Sequence, residues 1–279
     1  MKELRGKVAL VTGASRGIGP YIARALAREG ADVAVAARSA AELEAVAGKL
    51  REAGVRSVAV PADVSTAEGR AQLVERVTSE LGPLAILVNN AGIERTAVYE
   101  TQDPAEIASV IETNLVAPML LSRAVLPAML ERREGHIVNV ASLAGKVAVA
   151  FDAPYSASKA GLIQFTESIR SEYQGRGVSA SVICPGFVAD VGMYADAVTE
   201  TGVTASRLAG TSKPAAVARA VVRSIKRDIP EIIVNPGPMR LATAFAELSP
   251  RGFERVYGLF QTRKHFAEVA RQRGTGGGR

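Results

Sequence analysis

The chain has few of the residues that build disulfides, metal clusters and membrane spans. Cys184 is the only cysteine in 279 residues, which excludes an intrachain disulfide and fits a reducing, cytoplasmic compartment. It lies in an apolar run and reads as a small buried hydrophobe. A single cysteine and only two histidines, His136 and His265, argue against a zinc site, and no metal is expected. No apolar stretch reads as approaching the roughly 18 residues of a membrane span. The first residues, Met1 to Lys7, are charged, and the apolar run after them breaks at Thr12-Gly13, so no secretory signal is read there. Aromatics make up only 5% of the chain, and no basic stripe interleaves with them, so nucleic acid is not an expected partner. The net charge of +6 is uneven: residues 239–279 hold eight Lys/Arg and three Asp/Glu, a balance of +5. That tail is the part suited to an anionic surface or partner.

What the chain does have is short β-branched apolar runs alternating with longer amphipathic ones. The runs are Val8–Thr12, Val33–Ala36, Val58–Val60, Ala85–Val88, His136–Val140, Ser179–Ile183 and Ile232–Val234. They are almost continuously apolar, as strands covered on both faces are. Helical stretches are expected near 17–29, 40–53, 67–81, 104–132, 154–175 and 214–226. The alternation predicts right-handed βαβ units in an α/β fold: a doubly wound, parallel, seven-stranded sheet with helices on both faces. Residues 1–237 are expected to form that domain. Residues 238–273 are expected to add a helical extension packed on the same domain or on a partner subunit. In it Met239, Ala242, Phe245 and Leu248 recur at helical spacing, Phe253, Val256, Tyr257 and Phe260 make a second stripe, and Phe266 and Val269 extend a third. Residues 274–279 read as a disordered end.

The first strand runs into Thr12-Gly13-Ala14-Ser15-Arg16-Gly17-Ile18-Gly19, with a helix expected behind it. Glycines let backbone approach a pyrophosphate, and the helix N-terminus offers free N–H groups. Pro20 suits a first helical turn. A merely structural strand–helix turn is the alternative. Residues 33–41, at the end of the second strand, contain no acid to bind ribose hydroxyls. Arg38 stands there instead, with Arg16 in the glycine loop, and two guanidiniums suit a 2′-phosphate. The expected cofactor is therefore NADP(H), with NAD(H) as the alternative; each arginine also reads as an ordinary surface charge.

Tyr155 and Lys159 lie four residues apart, so a helix puts them on one face. An ammonium there is expected to pull the phenol, ordinarily near 10, toward neutrality. A packing tyrosine with a chance lysine is the alternative. Asn114 falls inside a long expected helix, and four residues later Pro118 has no N–H to give its carbonyl. That leaves an acceptor free for water, or a simple proline kink.

Taken together, the glycine loop, Asn89-Asn90-Ala91-Gly92, Ser142 and Tyr155-x-x-x-Lys159 resemble the short-chain dehydrogenase/reductase family in its compact, single-domain, Rossmann-like branch, over about residues 6–236. The resemblance implies that Tyr155 is the catalytic acid/base. It implies that Lys159 lowers the pKa of Tyr155 and binds the nicotinamide ribose, and that Ser142 holds the substrate oxygen. Asn114 would complete a tetrad through a water relay. Asp63, followed by Val64, would contact the adenine amine. Asn90, Ala91 and Gly92 would border the adenosine, and Pro185, Gly186 and Val188 would pack beside the nicotinamide. Asp190 stands where many relatives place a threonine. Residues 187–212 lack clear periodicity and correspond to the family's substrate-covering loop, with Met193, Tyr194 and Val198 as candidate pocket residues.

The expected activity is NADP(H)-dependent hydride transfer between nicotinamide and an apolar ketone or secondary alcohol, the partner being that small molecule. Relatives are often homodimers or homotetramers, so homo-oligomerisation is expected. A non-catalytic NADP(H)-binding sensor and a lipid ketone reductase at a membrane surface remain as alternatives.

Overall fold

A computed structural model of the chain describes residues 1–205, 209–237, 239–257 and 262–276, without the side chains of 254–257, 262 and 274–276. In chain order the elements are β1 (Val8–Thr12), α1 (Gly19–Arg28), β2 (Asp32–Ala37), α2 (Ala40–Glu52), β3 (Ser57–Pro61), α3 (Ala67–Leu81), β4 (Leu84–Asn89), α4 (Pro104–Ile111), α5 (Ala117–Glu131), β5 (Gly135–Val140), α6 (Ala153–Glu172), β6 (Val178–Pro185), α7 (Met193–Thr201), α8 (Pro214–Arg227), β7 (Glu231–Val234), α9 (Met239–Leu248), α10 (Pro250–Tyr257) and α11 (Thr262–Gly276). The seven strands form one sheet in the order β3-β2-β1-β4-β5-β6-β7. All six pairings are parallel.

Successive side chains of a strand face opposite ways, and β1 uses both. Ala9 and Val11 pack with Ile22 and Leu26 of α1 and Val217 and Val221 of α8. Val8 and Leu10 pack with Leu73 and Val77 of α3 and Leu121 and Val125 of α5. Each fully buried Val, Leu or Ile among these stabilises the fold by about 1.5–3 kcal/mol. The strand order reverses between β1 and β4. In parallel α/β sheets a crevice opens there, beyond the carboxyl ends of the strands, and Thr12 and Asn89 end those two strands.

Four expectations need correction. The stretch 104–132 is not one regular helix: a π-helical turn, Glu112–Val116, separates α4 from α5. The whole run Pro104–Glu131 is also long and apolar enough, by length and composition, to cross a membrane. Much of its apolar surface is instead buried against the sheet, through Ala117, Leu121, Val125 and Met129. Residues 187–212 contain a helix, α7, that no periodicity announced. It starts after Gly192 and ends at left-handed Gly202, and it buries only Ala197. Thr199 and Thr201 donate their hydroxyls to the carbonyls of Ala195 and Ala197, which accommodates these polar residues within it. At the C-terminus, α11 continues to Gly276, into the segment expected to be disordered; residues 277–279 lie outside the described residues.

In the C-terminal extension, α9 and α10 pack on each other through Phe245 and Phe253, whose ring centroids are 6.4 Å apart. Leu241 and Leu248 are exposed. Of the second expected stripe, Phe260 and the side chains of Val256 and Tyr257 lie outside the described residues. α11 buries His265, Phe266, Val269 and Ala270. Phe266 stacks on Phe187 at 6.0 Å, and His265 meets Phe187 edge-on at 5.6 Å. Tyr194 of α7 completes this aromatic group, 4.8 Å from Phe187.

Candidate active site

The glycine loop is shaped by contacts that tolerate no side chain. A Cβ on Gly13 would lie 2.7 Å from the Cα of Ala91, and one on Gly19 would lie 2.3 Å from the carbonyl oxygen of Gly13. Gly13 and Gly17 also have positive φ, +63° and +65°. Asn90 braces the loop by donating from Nδ2 to the carbonyls of Thr12 at 2.9 Å and Gly13 at 3.0 Å. The hydroxyl of Thr12 accepts from the backbone N–H groups of Asn90 and Ala91. Thr12 opens the loop in the sequence, but a threonine at a strand end gives no signal of this bracing role. α1 opens behind Ile18, a cap residue with no side-chain cap bond. Tyr21 N–H donates to the Ile18 carbonyl at 3.1 Å and Pro20 has no N–H, which leaves the Gly19 N–H of that turn for an anion.

Around the loop, Ser15 and Ile18 lie within the turn itself. Arg16 pairs with Asp196 of α7 at 2.9 Å, an exposed contact. Arg38 is exposed just past β2 and enters no ion pair among the described residues. Asp63 follows β3. It accepts from the backbone N–H and the hydroxyl of Ser65, and that hydroxyl bond, aided by Arg38, holds its carboxyl below the usual range. Val64 is buried beside it. These groups line the nucleotide side of the crevice: a glycine cradle, an uncapped helix and an unpaired guanidinium, with no acid at the end of β2. That donor set fits a phosphorylated dinucleotide.

On the other side of the crevice, β5 ends at Val140 and Ser142 lies two residues beyond, in extended conformation. Its hydroxyl accepts from Ala144 N–H at 3.1 Å and reaches the carbonyl of Pro185 at 3.5 Å. Gly145 lets this turn touch α6, since a Cβ there would sit 2.6 Å from the carbonyl carbon of Lys159. Pro154 in the first turn of α6 starts the helix that carries Tyr155 and Lys159. Lys159 is buried and donates from Nζ to the carbonyl of Val140 at 3.0 Å. Nζ lies 5.6 Å from the centroid of the Tyr155 ring.

Asn114 is buried in the π-helical turn, an arrangement that recurs at functional sites. It clasps the chain beyond β4: Oδ1 accepts from Ile93 N–H at 2.8 Å, and Nδ2 donates to the Ile93 carbonyl at 2.8 Å. The same amide donates to Ser158 at 3.1 Å, which links it to α6. A Cβ built on Gly92 would lie 3.2 Å from Asn114 Oδ1, 3.5 Å from Lys159 Nζ and 3.6 Å from Met193 Cε. Asn114, Lys159 and α7 therefore converge on that glycine. Gly186 is equally confined, with room for a Cβ removed by Asn235. Val188 bridges to Ser212. Asp190 is exposed and left-handed at φ +71°.

The electrostatics correct one expectation. Tyr155 is half-buried, and burial pushes its phenol well above the ordinary range. The carboxylates of Glu94 and Asp152 push it further, while a hydrogen bond with Ser142 opposes them. Burial lowers the Lys159 ammonium to about 8, so it is still mainly charged at neutral pH. Desolvation disfavours the charged form of each group, the phenolate and the ammonium. The phenol is thus held as an acid. Glu94 and Asp152 were not singled out from sequence. The buried Cys184 thiol is raised to about 12, as expected of an inert interior cysteine.

Comparisons with known proteins agree with this geometry. The family model for short chain dehydrogenase matches residues 7–202. A ketoacyl reductase, HetN, of Nostoc sp. is 46% identical over 265 residues, covering 93% of this chain and 91% of that protein. The 3-oxoacyl-(acyl-carrier-protein) reductase FabG of Vibrio cholerae is 41% identical over 186 residues, 67% of this chain and 75% of that one. Among solved structures, an actinorhodin polyketide ketoreductase variant with NADPH superposes with a TM-score of 0.78 at 35% identity, covering 83% of this chain and 96% of that chain. A metagenomic short-chain oxidoreductase in complex with NADP gives 0.71 at 36% identity, covering 84% and 99%. With its parallel seven-stranded sheet and a family match spanning most of its length, the chain belongs to the short-chain dehydrogenase family.

Proposed function

We propose that this protein is an NADP(H)-dependent ketone reductase whose substrates are 3-oxoacyl thioesters or related apolar ketones. The observation that carries the reading is the meeting of Ser142, Tyr155 and Lys159 at the carboxyl ends of β5 and α6's first turns, with Asn114 tied to them through Ser158. The names of the relatives support the substrate class, and the NADP-bound neighbours support the cofactor. Gly13, Ser15, Arg16, Gly17, Ile18 and Gly19 would hold the pyrophosphate, Arg38 the 2′-phosphate and Asp63 the adenine. Held by these residues, the cofactor would supply the hydride that reduces the carbonyl carbon.

The remaining chemistry belongs to the chain. Ser142 and Tyr155 hydrogen-bond the carbonyl oxygen and polarise it. Tyr155, kept protonated by its surroundings, gives its proton to that oxygen as negative charge develops there. The Lys159 ammonium stabilises the phenolate that remains, and its lowered value suits it to return a proton. Asn114 fixes the strand-four loop against α6, so these groups hold their spacing. The aromatic group of Phe187, Tyr194, His265 and Phe266 closes the substrate side with apolar surface. We also assign homo-oligomer contacts to the α5–α6 face, where Met119 and Leu120 are exposed beside a groove lined by Leu126, Phe165 and Tyr173.

The test is NADPH consumption by purified protein with 3-oxohexanoyl N-acetylcysteamine thioester and a panel of simple ketones. Turnover that saturates with substrate is expected. Tight NADPH binding with no turnover on any of them would favour a nucleotide sensor.

A further inference from the structure

The helix that follows β6 has little of the core to hold it. α7 is nine residues long and buries only Ala197, and a helix of that length is marginal without tertiary partners. Yet the turn into it bridges the catalytic crevice. On one side Gly192 rests on the glycine loop: a Cβ on Gly17 would lie 3.5 Å from the Cα of Gly192, and one on Gly192 would lie 3.7 Å from the Cα of Gly17. On the other side Met193 reaches Gly92, where a Cβ would lie 3.6 Å from Met193 Cε and 3.5 Å from Lys159 Nζ. A ligand that runs from the glycine loop to Lys159 must pass beneath this bridge.

What holds the bridge in place is the C-terminal helix. Toward the glycine loop α7 has the exposed Asp196–Arg16 pair, and exposed pairs contribute little. α11 packs alongside α7 and runs in the same direction. Near the start of both helices the His265 ring lies 6.1 Å from that of Tyr194, and Phe266, 8% exposed, stacks on Phe187. Near their far ends Arg273 donates from Nη2 and Nε to Glu200 Oε2, at 2.9 and 3.2 Å. The exit from α7 is tied to its first turn, where the Tyr194 hydroxyl accepts from Ala205 N–H at 3.0 Å. We propose that Phe266 and Arg273 are positioning residues: acting through α7, they latch residues 192–193 across the crevice, so α11 sets how fast a dinucleotide enters and leaves. The inference rests on the NADP(H)-binding reading of the crevice and on no step of the reduction. The latch contacts join α11 to α7 and its preceding loop, so they are the same with the crevice empty or filled. Weakening them raises the open fraction of the free and the loaded protein alike. Association and dissociation then quicken together, and the dissociation constant stays where it was.

The experiment is stopped-flow fluorescence of NADPH binding to the full chain, with release followed by displacement with excess NADP+. Wild type is compared with Phe266→Ala, Phe266→Leu, Arg273→Ala and Glu200→Gln. Phe266→Ala should raise both rate constants by about tenfold to a hundredfold, as loss of a buried ring allows. Phe266→Leu, which keeps apolar bulk, should fall between it and wild type. Arg273→Ala should raise both by about twofold to fivefold, the worth of an exposed pair. In each the dissociation constant should stay within about twofold of wild type. Rates unchanged in Phe266→Ala and Arg273→Ala overturn the proposal. So does a change confined to dissociation, which would make α11 a determinant of affinity and not of exchange. Should Phe266→Ala not fold, Arg273→Ala and Glu200→Gln carry the comparison: each should quicken both steps, and the double variant no more than either alone. Wild type that binds no NADPH would fail the cofactor reading and take the latch with it; wild type that binds, with variants exchanging at its rate, fails the latch alone.

Discussion

Replacing Lys159 by methionine should make the protein more stable and less active. Lys159 is 3% exposed, and burial lowers its ammonium from 10.5 to about 8. At 1.36 kcal/mol per unit, keeping that charge inside costs the fold about 3 kcal/mol at neutral pH. Methionine has similar length and no charge, but it leaves the Val140 carbonyl without its Nζ donor, a loss of about 1 kcal/mol. The net expectation is a gain of about 2 kcal/mol at pH 7, or roughly 4 °C in melting temperature for a chain of this size. The sign depends on pH. Because the folded value lies below the unfolded one, the penalty is complete below pH 8 and lifts as pH rises from about 8 to 10.5. Wild type should therefore gain on the variant through that window. Thermal and urea melts at pH 7, 8.5 and 10 measure this, with kcat recorded on the same preparations. A variant destabilised by the same amount at every pH would refute the reasoning, since the ammonium would then carry no desolvation cost.

Other expectations follow from single contacts. Arg38→Ala should raise the KM for NADPH by about tenfold to a hundredfold and leave that for NADH nearly unchanged, as loss of a charge-assisted phosphate bond would; equal losses would remove the 2′-phosphate role. Asn114→Ala deletes three side-chain bonds at 2.8, 2.8 and 3.1 Å, so denaturant melts should show a loss of about 2–4 kcal/mol together with reduced kcat. His136 is buried against Ser181 and lowered to about 3 from 6.5. Stability should therefore fall as pH drops below 6.5, by up to about 1.4 kcal/mol per unit, and His136→Gln should flatten that slope.

Much of the fold was legible because buried parallel strands leave a simple mark. Runs such as Val8–Thr12 and Ala85–Val88 are almost continuously apolar, and their observed bounds differ little from the reading. The glycine loop was legible because close backbone approach admits only glycine, as at Gly19. Tyr155 and Lys159 were legible because helical spacing fixes a shared face. What escaped depends on contacts between distant segments. α7 buries a single residue, so it has no stripe to read. The π-helical turn showed only as an asparagine four residues before a proline. The Glu94–Asp152 pair joins residues far apart in sequence, and the Tyr155 phenol follows their charge and its own burial. A local Tyr–Lys spacing reports attraction and says nothing about desolvation.

The central claim is that the Tyr155 hydroxyl delivers the proton to the reduced carbonyl. The direct test is single-turnover reduction of 3-oxohexanoyl thioester by NADPH-loaded wild type and Tyr155→Phe, with NADPH affinity measured separately. The account predicts a rate lower by about 10²–10⁴-fold in the variant, with cofactor affinity little changed. A Tyr155→Phe enzyme that reduces the thioester at the wild-type rate would contradict it.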